Sequence, residues 1–303
     1  MALGIGMSLH SSSLTQEEAF IFSVKTDNTG SSNSTSFTVP LSASGSNKPI
    51  INIDWGDGNT NEDVEDAITH DYGTAGTYTI KITPGTSYVK GTAASNVQYP
   101  ALNRFAFANS GDPKKMINIF NWGIFAITLK SGFYGCENLT STASDRPTGQ
   151  DHTTVQPTTL RTYFRKCKLL NGSLNQWGSI LSNVTTMQQC FLSASDFNQP
   201  LSLWDTSSVT NMNAMFQGAQ DFNQDISNWD INQVTNFTNF MLSNTALSTA
   251  NYNSILIAWA AQGAMDATTT THFGDATYGT SAASARDTLI ATNWAGITDG
   301  GAE

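Results

Sequence analysis

The chain is poor in charge and in basic clusters. Charged residues make up 13% of its 303 positions, and 14 Lys plus Arg stand against 24 Asp plus Glu, a formal net charge of −10. The densest basic stretches, Lys114–Lys115 and Arg165–Lys168, are short. Because phosphate backbones are bound by clustered cations, we expect no nucleic-acid partner. No apolar run approaches the ~18 residues of a membrane-spanning helix, so membrane insertion is not expected either.

Motifs of catalysis are also missing. His10, His70, His152 and His272 lie far apart, without HExxH spacing, a nucleophile elbow or a glycine-rich phosphate loop. We therefore predict no enzyme activity, no catalytic residue, no cofactor and no metal site, and we assign no ligand-binding residue. A secreted glycan-processing enzyme is the third-ranked reading, and its carboxylate pair would be visible only in the fold.

Cysteine is scarce and odd in number. Cys136 and Cys167 share one repeat position, and Cys190 takes another that Met or Phe fills elsewhere. Three cysteines without CxxC spacing describe neither a disulfide scaffold nor a zinc site. We interpret them as buried free thiols. A Cys136–Cys167 bridge between adjacent coils and a catalytic thiol are the alternatives.

What the chain does have is repetition. One short motif occurs five times. Each copy of it begins with an aromatic or Met residue, which a small residue follows three positions later, and the copies start 31, 27, 25 and 25 residues apart. The copies are FYGCENL (Phe133–Leu139), FRKCKLL (Phe164–Leu170), FLSASDF (Phe191–Phe197), FQGAQDF (Phe216–Phe222) and MLSNTAL (Met241–Leu247). Apolar pairs precede the later copies (Val184/Met187, Val209/Met212, Val234/Phe237), and Trp177, Trp204 and Trp229 follow copies two to four. This period predicts a solenoid, whose coils bury such residues in ladders ~4.8 Å apart.

The repeats carry a family resemblance. FNQPLSLWDTSSVTNMNAMFQGAQDFNQDISNWD (Phe197–Asp230) resembles the repeat of BspA-like leucine-rich-repeat surface proteins, in their FNQ-W-VTNM-MF branch. GDPKKMINIFNWG (Gly111–Gly123) and NWGIFAITLKSGFYGCENL (Asn121–Leu139) are similar to the first coil of such arrays. The resemblance covers roughly residues 94–250. It implies a leucine-rich-repeat solenoid in a protein of surface display.

The amino-terminal third has a different pattern. FIFSVKT, SFTVPL, IINIDWGDG and TYTIKITPG alternate as short half-buried strands do, and Asp57-Gly58 is a hairpin signal. Ile53–Ile82, with its WGDG turn, resembles a polycystic-kidney-disease (PKD) type β-sandwich, which implies a spacer or a glycan-associated module. Calcium could use Asp54, Asp57, Asp63 and Asp66, but we favour turn and surface roles. We expect His70 to pack near Tyr72 and not to serve as a ligand.

The carboxyl-terminal part changes to a helical period. Tyr252, Ile255, Leu256 and Trp259 share one helical face, which Ser248 would cap and Gly263 would end. A second helix is predicted over Ala282–Thr292, with Ala285, Leu289 and Ile290 available for burial. Together these helices would shield the last coil.

The predicted fold class is mainly β with α. It comprises an arm (1–19), a PKD-like β-sandwich (20–93), BspA-like leucine-rich repeats (94–250) and a helical cap (251–303). The start MALGIGMSLHSSS lacks the basic and apolar segments of a secretory signal and resembles the amino termini of phage structural proteins.

We therefore expect a non-enzymatic virion protein of a tailed phage: a capsid decoration, a spike or a tail-fibre-like module at the virion surface. Its arm would bind other virion proteins, unless it is merely a frayed terminus, and its repeats would bind a host surface glycan or protein. A homo-oligomer is compatible with this. The alternative is a bacterial cell-surface adhesin. The pairs Asn198/Gln199 and Asn223/Gln224, expected to be exposed, would form amide ladders between coils or line a binding face.

Overall fold

The computed structural model describes residues 19–42, 50–85, 105–127, 129–148, 156–263, 270–292 and 294–303. All but the last residue of the predicted arm, and the predicted boundary between residues 93 and 94, lie outside this part. The described chain is mainly β, with two α-helices near its carboxyl terminus.

The amino-terminal part holds two sheets. Its strands are β1 Phe20–Lys25, β2 Ser36–Val39, β3 Ile51–Asp54, β4 Thr60–Val64, β5 Ile68–Asp71 and β6 Thr77–Pro84. β7 Met116–Asn121 and β8 Thr140–Ser141 join the larger sheet, whose order is β4-β3-β6-β1-β7-β8, while β2 pairs with β5. The two sheets meet through apolar rings, since Phe22 of β1 lies 6.0 Å from Phe37 of β2.

Four of these strands were predicted from alternation, and β1, β2, β3 and β6 confirm them. The predicted Asp57-Gly58 turn joins β3 to β4, and the Trp55 N–H donates across it to the Asn59 carbonyl at 3.1 Å. β4 and β5 escaped prediction because their sequences, TNEDV and ITHD, are polar and bury little. β4 and β5 form strands because they pair with β3 and β2, and not because their own sequences alternate between apolar and polar residues.

The larger sheet continues into the first coil of the repeats. β7 pairs antiparallel with β1 on one side and parallel with β8 on the other. Strand residues before position 85 and residues after position 115 are therefore held in one hydrogen-bonded sheet.

The repeats lie on top of one another. Parallel bridges link Thr159 to Thr186, Thr186 to Asn211 and Asn211 to Asn236. Rings of successive copies stack at 5.7 Å (Phe133–Phe164), 5.6 Å (Phe164–Phe191) and 5.5 Å (Phe191–Phe216), the last pair within 1° of parallel. The apolar residues predicted to recur in the core are all buried.

The recurring tryptophans also join coils through their polar edge. Trp204 Nε1 donates to the Leu174 carbonyl at 2.9 Å, and Trp229 Nε1 donates to the Leu201 carbonyl at 3.1 Å. A buried indole usually finds such an acceptor, and the preceding coil supplies it to two of the three recurring tryptophans. The third, Trp177, has its Nε1 buried without an acceptor among the described residues.

The first α-helix is as predicted. α1 Thr249–Ala261 begins after Ser248, whose hydroxyl accepts from the Asn251 N–H, and it buries Tyr252, Ile255, Leu256 and Trp259. Gly263 follows its end with a left-handed φ of 96°.

The second helix, α2 Thr280–Ala291, begins two residues earlier than predicted and buries Ala282 and Leu289. Ala285 packs against the core while partly exposed. The prediction that Ile290 is available for burial was wrong, since 38% of it is exposed. Neighbouring helical residues point about 100° apart, so Leu289 and Ile290 do not share the inner face.

Each helix belongs to a further turn of the stack. After α1 come β9 Thr271–His272 and β10 Thr277–Tyr278, and after α2 come β11 Ile297–Thr298 and β12 Gly301–Ala302. β9 pairs in parallel with β11, and β10 pairs in parallel with β12. The Met241 N–H donates to the His272 carbonyl at 2.8 Å, which connects these turns to the last sequence repeat.

Candidate interaction surface

Every repeat contains a five-residue segment with a left-handed residue at each end. The pairs are Ser131/Gly135, Thr162/Lys166, Gln189/Ser193, Ala214/Gly218 and Asn239/Ser243. We call residues 131–135, 162–166, 189–193, 214–218 and 239–243 the ladder segments. Left-handed backbone is unfavourable for residues other than glycine, yet eight of these ten positions carry side chains. The stack therefore imposes this conformation on the chain.

The ladder segments are joined by backbone hydrogen bonds. Gln189, Phe191 and Ser193 donate to the carbonyls of Asn213, Met215 and Gln217 at 2.9, 2.8 and 2.8 Å. The segments 131–135, 162–166 and 214–218 repeat this pattern, and in the last segment the Met241 N–H donates to the His272 carbonyl at 2.8 Å. Alternate residues donate in one direction, as in a parallel β-ladder, although the segments are built of turns. The result is a continuous polar face whose backbone groups are already paired.

The same bonds add to the first coil a turn at Phe107 that was not predicted from the sequence. Phe107 and Asn109 donate to the carbonyls of Gly132 and Tyr134, each at 3.0 Å. A turn at Phe107 therefore precedes the first recognised copy. Its FANSGDP sequence has Ser110 where Cys136 stands, and this match in spacing could have indicated the turn, beside the resemblance of Gly111–Gly123 to a first coil.

The amide pairs hold neighbouring coils together. Asn198 Oδ1 accepts from the Asn223 N–H at 2.9 Å and from Gln224 Nε2 at 2.7 Å. Asn171 Oδ1 receives the corresponding bonds from the Asn198 N–H and Gln199 Nε2, both at 2.9 Å. These pairs are half-buried, so the expectation that they are exposed was wrong. Their hydrogen-bonding groups serve the stack, which confirms the amide-ladder reading.

The recurrent acids form turns. Asp205, Asp225 and Asp230 each accept from the backbone N–H two residues later, at 3.1, 2.9 and 3.0 Å. This is the hydrogen bond of an Asx-turn, which fixes chain reversal locally. The acids recur because the turn recurs.

Four basic side chains lie on and beside two ladder segments. Lys130 and Arg161 each precede a segment, and Arg165 and Lys166 lie within the second one. Arg165 lies over the Tyr134 ring at 5.0 Å and donates to Gln189 Oε1 at 2.7 Å. Lys166 lies 5.8 Å from the same ring centroid.

Charge is divided along the stack. Residues 171–263 contain five Asp and no Lys or Arg, whereas residues 130–168 contain six Lys plus Arg. One more cation, Lys114, approaches the early coils: Lys114 and Lys168 contact Glu137 at 3.1 and 2.8 Å. The hydrogen bond from Lys168, opposed by burial and aided by Lys114, lowers the pKa of Glu137.

The amino-terminal acids also serve turns, as we favoured. Asp54 Oδ1 accepts from the Gly56 N–H at 2.9 Å, and Asp57 accepts from the Asn59 N–H at 3.0 Å. His70 is packed as predicted: its ring centroid lies 4.5 Å from that of Tyr72, and it stacks on Trp55 at 4.8 Å. In addition, His70 Nε2 lies 2.8 Å from Asp57 Oδ2, a hydrogen bond that the sequence did not predict.

The three thiols are buried and unpaired, as we interpreted them. Burial raises the pKa of Cys136 and Cys167 well above the usual value, and it raises that of Cys190 in the same direction. Cys167 Sγ donates to the Phe133 carbonyl at 3.1 Å. The structure therefore shows neither the Cys136–Cys167 bridge nor an ionised thiol.

Within the described ranges, no three His, Cys, Asp or Glu side chains are grouped so that they could hold a metal ion. The helices described are likewise too short or too polar to cross a bilayer.

The architecture is thus a stack of repeats of about 25 residues, joined to an amino-terminal pair of sheets. Residues 158–278 match a family model described as Mycoplasma protein of unknown function, DUF285. That repeat family is related to the BspA-like surface proteins. No curated protein and no solved structure matches the chain.

Proposed function

We propose that the protein is a non-enzymatic recognition protein of a biological surface. In this proposal its stacked turns form a BspA-like, leucine-rich-repeat-type solenoid, and the ladder segments are the face presented to a partner. The amino-terminal sheets would be a PKD-like spacer. The family match over residues 158–278 supports the surface-protein part of the proposal.

The observation on which the proposal rests is that polar groups of one coil are hydrogen-bonded to groups of the adjacent coils. The amides, the turn acids and the ladder backbones bond to adjacent coils. The polar face is therefore fixed in shape before any partner arrives, which reduces the entropy lost on binding. Preorganised, extended surfaces of this kind are what stacked-repeat proteins use to bind partners.

We further propose the virion of a tailed phage as the surface, with the arm at residues 1–19 contacting capsid or tail proteins. A bacterial cell surface is the alternative. The resemblance of the start of the chain to phage structural proteins supports the first, and the BspA-like repeats are equally suited to both.

Two measurements test these proposals. Mass spectrometry of purified phage particles from the host should detect the protein at a stoichiometry typical of a structural component, whereas its absence from the particles would exclude the virion setting. Purified, fluorescently labelled protein should bind host cells saturably and be displaced by excess unlabelled protein. If no cell binding is measured, the recognition function itself is excluded.

A further inference from the structure

The four cations of the early ladder segments form one surface, which we call the cationic patch (Lys130, Arg161, Arg165 and Lys166). The Ser131 N–H donates to the Arg161 carbonyl at 3.0 Å, so Lys130 and Arg161 lie near this junction of adjoining coils. Arg165 and Lys166 flank the same Tyr134 ring. Lys130 and Arg161 are exposed, and the other two are partly exposed.

No carboxylate neutralises this patch within the described ranges. The ion pairs of Lys and Arg there involve Lys25, Lys114, Lys115, Lys168 and Arg286, and none of them uses a member of the patch. The chain has a net charge of −10. Four neighbouring cations without paired carboxylates therefore make the electrostatic potential locally positive on a protein that is negative overall. Such a positive region attracts an anionic group.

One member of the patch is held in place before any ligand binds. Arg165 is fixed between the Tyr134 ring and Gln189 Oε1, and its Nε is buried without a hydrogen-bond acceptor in the described structure. Arg165 therefore adds a fixed positive charge to the patch, since its Nη1 is bound to Gln189 and its Nε is buried. Arg161 is exposed, so its planar guanidinium can match a carboxylate with two parallel hydrogen bonds.

The surroundings of the patch favour a polymer with separated charges. The same face continues on later coils with half-buried neutral amides. Asn213 is occupied by the stack, since its Oδ1 accepts from Gln188 Nε2 at 3.3 Å and its Nδ2 donates to the Thr238 carbonyl at 3.1 Å. The Gln217 amide and Gln188 Oε1 have no such bond among the described residues. Amides exchange hydrogen bonds with hydroxyl groups. The turns of these later coils carry Asp and no base, so a nucleic acid, with one charge per ~1.7 Å of duplex, would be repelled as it left the patch.

We propose that the cationic patch binds a carboxylate-bearing polysaccharide, with the carboxylates at the patch and sugar hydroxyls along the neighbouring amides. This rests on the proposed recognition function and names its partner class. The binding surface comprises the cationic patch, the ladder segments 131–135 and 162–166, and the neutral ladder segments that follow them.

The test uses the full chain and two charge-matched double variants. Arg161→Gln/Lys166→Gln removes two patch cations, and Lys25→Gln/Lys81→Gln removes two cations from the amino-terminal sheet. Titration calorimetry at low salt would measure binding to polygalacturonate, to uncharged dextran and to single-stranded DNA. Thermal unfolding of each variant would establish that it is folded.

We expect wild type and control to bind polygalacturonate, and the patch variant to bind it roughly tenfold more weakly, since it lacks two of the four cations that would pair with carboxylates. Added salt should weaken the binding. Equal binding by both variants, or equally tight patch-dependent binding of DNA, would overturn the proposal. Host-cell binding that persists in the patch variant, with no binding to polygalacturonate by wild type, would overturn this inference while leaving the recognition function in place.

Discussion

At the scale of single residues, the ladder segments depend on backbone conformations that the side chains resist. Ala214 has a φ of 52° and Gly218 a φ of 69°. For a residue with a Cβ, the left-handed region costs about 1–2 kcal/mol. Space is available at Gly218, where the atoms nearest to an added Cβ would be those of Ser193, at 3.6 Å or more. Glycine is therefore favoured at position 218 by the left-handed backbone conformation and not by a lack of space for a side chain.

This strain can be measured with two alanines of the same copy. Ala214 and Ala219 are both buried, but only Ala214 is left-handed. We predict that Ala214→Gly is less destabilising than Ala219→Gly by about 1–2 kcal/mol, because only the first relieves an unfavourable φ while both lose one methyl group. Urea midpoints of the two variants would measure the difference. Equal midpoints would show that the left-handed position stores no strain.

A second residue-scale prediction concerns acid. Burial alone would raise the pKa of Asp57, but hydrogen bonds from His70 and Asn59 lower it from 3.8 to about 2. The folded pKa lies below the unfolded one. The contribution of Asp57 to stability is therefore present above pH 3.8 and is lost as the pH falls towards 2.

We predict that Asp57→Asn flattens this part of the profile: the free energy of unfolding should fall less steeply between about pH 4 and pH 2 than in wild type. His70→Phe should act in the same direction, since it removes the same hydrogen bond. Denaturant titrations at stepped pH would measure both. Parallel profiles for all three proteins would contradict the assignment.

At the scale of elements, one asparagine per coil connects each turn to the next. Asn198 Oδ1 accepts two hydrogen bonds from the following coil, and the Asn198 N–H is bound by Asn171 of the preceding one. The equivalent Asn223 accepts from the Ser248 N–H at 2.9 Å and so connects the last repeat to the start of α1. Asn recurs at this position because each pair of adjacent coils needs the same hydrogen-bond acceptor.

Removing this acceptor should weaken the stack. We predict that Asn198→Ala lowers the free energy of unfolding by about 1–3 kcal/mol, because the Asn223 N–H and Gln224 Nε2 lose their acceptor in a half-buried place. The control is Asn183→Ala, at an exposed position of a neighbouring turn, which should change stability by less than about 0.5 kcal/mol. Equal losses in the two variants would refute the structural role of the amide ladder.

At the scale of the whole molecule, a buried ion pair fastens the β1–β2 connection to the chain leading into β7. Lys115 Nζ donates to the carbonyls of Asn33 and Ser36 at 2.6 and 2.8 Å. Asp112 accepts from the Ser32 and Thr38 N–H groups, both at 2.9 Å. Both charged side chains are at most 1% exposed, and Nζ lies 4.0 Å from Asp112 Oδ1. The pair therefore couples the amino-terminal sheets to the stack.

Breaking this pair should affect both parts at once. We predict that Lys115→Met destabilises the protein by about 3–5 kcal/mol, because it leaves the Asp112 carboxylate buried without a countercharge. Asp112→Asn/Lys115→Met should be more stable than that single variant, since both charges are gone. Denaturation followed by tryptophan fluorescence would compare them. A double variant less stable than the single one would contradict this electrostatic explanation.

The sequence predicted those elements in which buried positions recur with a regular spacing of apolar residues. The helical face of α1 and the apolar rungs at Phe191 and Phe216 were found because burial demands apolar side chains at a fixed period. β4, β5 and the turn at Phe107 were not found, because polar strands and single unmatched turns carry no periodic signal. The cationic patch was invisible as a surface for a related reason. Lys130 belongs to one repeat copy and Lys166 to the next, and those copies start 31 residues apart in the chain.

By itself, the sequence determined that the chain stacks in repeats of about 25 residues, that its amino-terminal third forms short strands and that two helices follow the repeats. Because each coil buries Phe, Trp, Val or Met at equivalent positions, these residues recur periodically in the sequence. Only the tertiary structure decided which polar groups remain for a partner. Asn198 and Gln199 were candidates for a binding face, yet their hydrogen bonds belong to the coils beside them, whereas the side chains of Arg161 and Lys166 have no such bond among the described residues. Whether a polar side chain is occupied depends on groups distant in sequence, and stacking alone brings those groups within hydrogen-bonding distance.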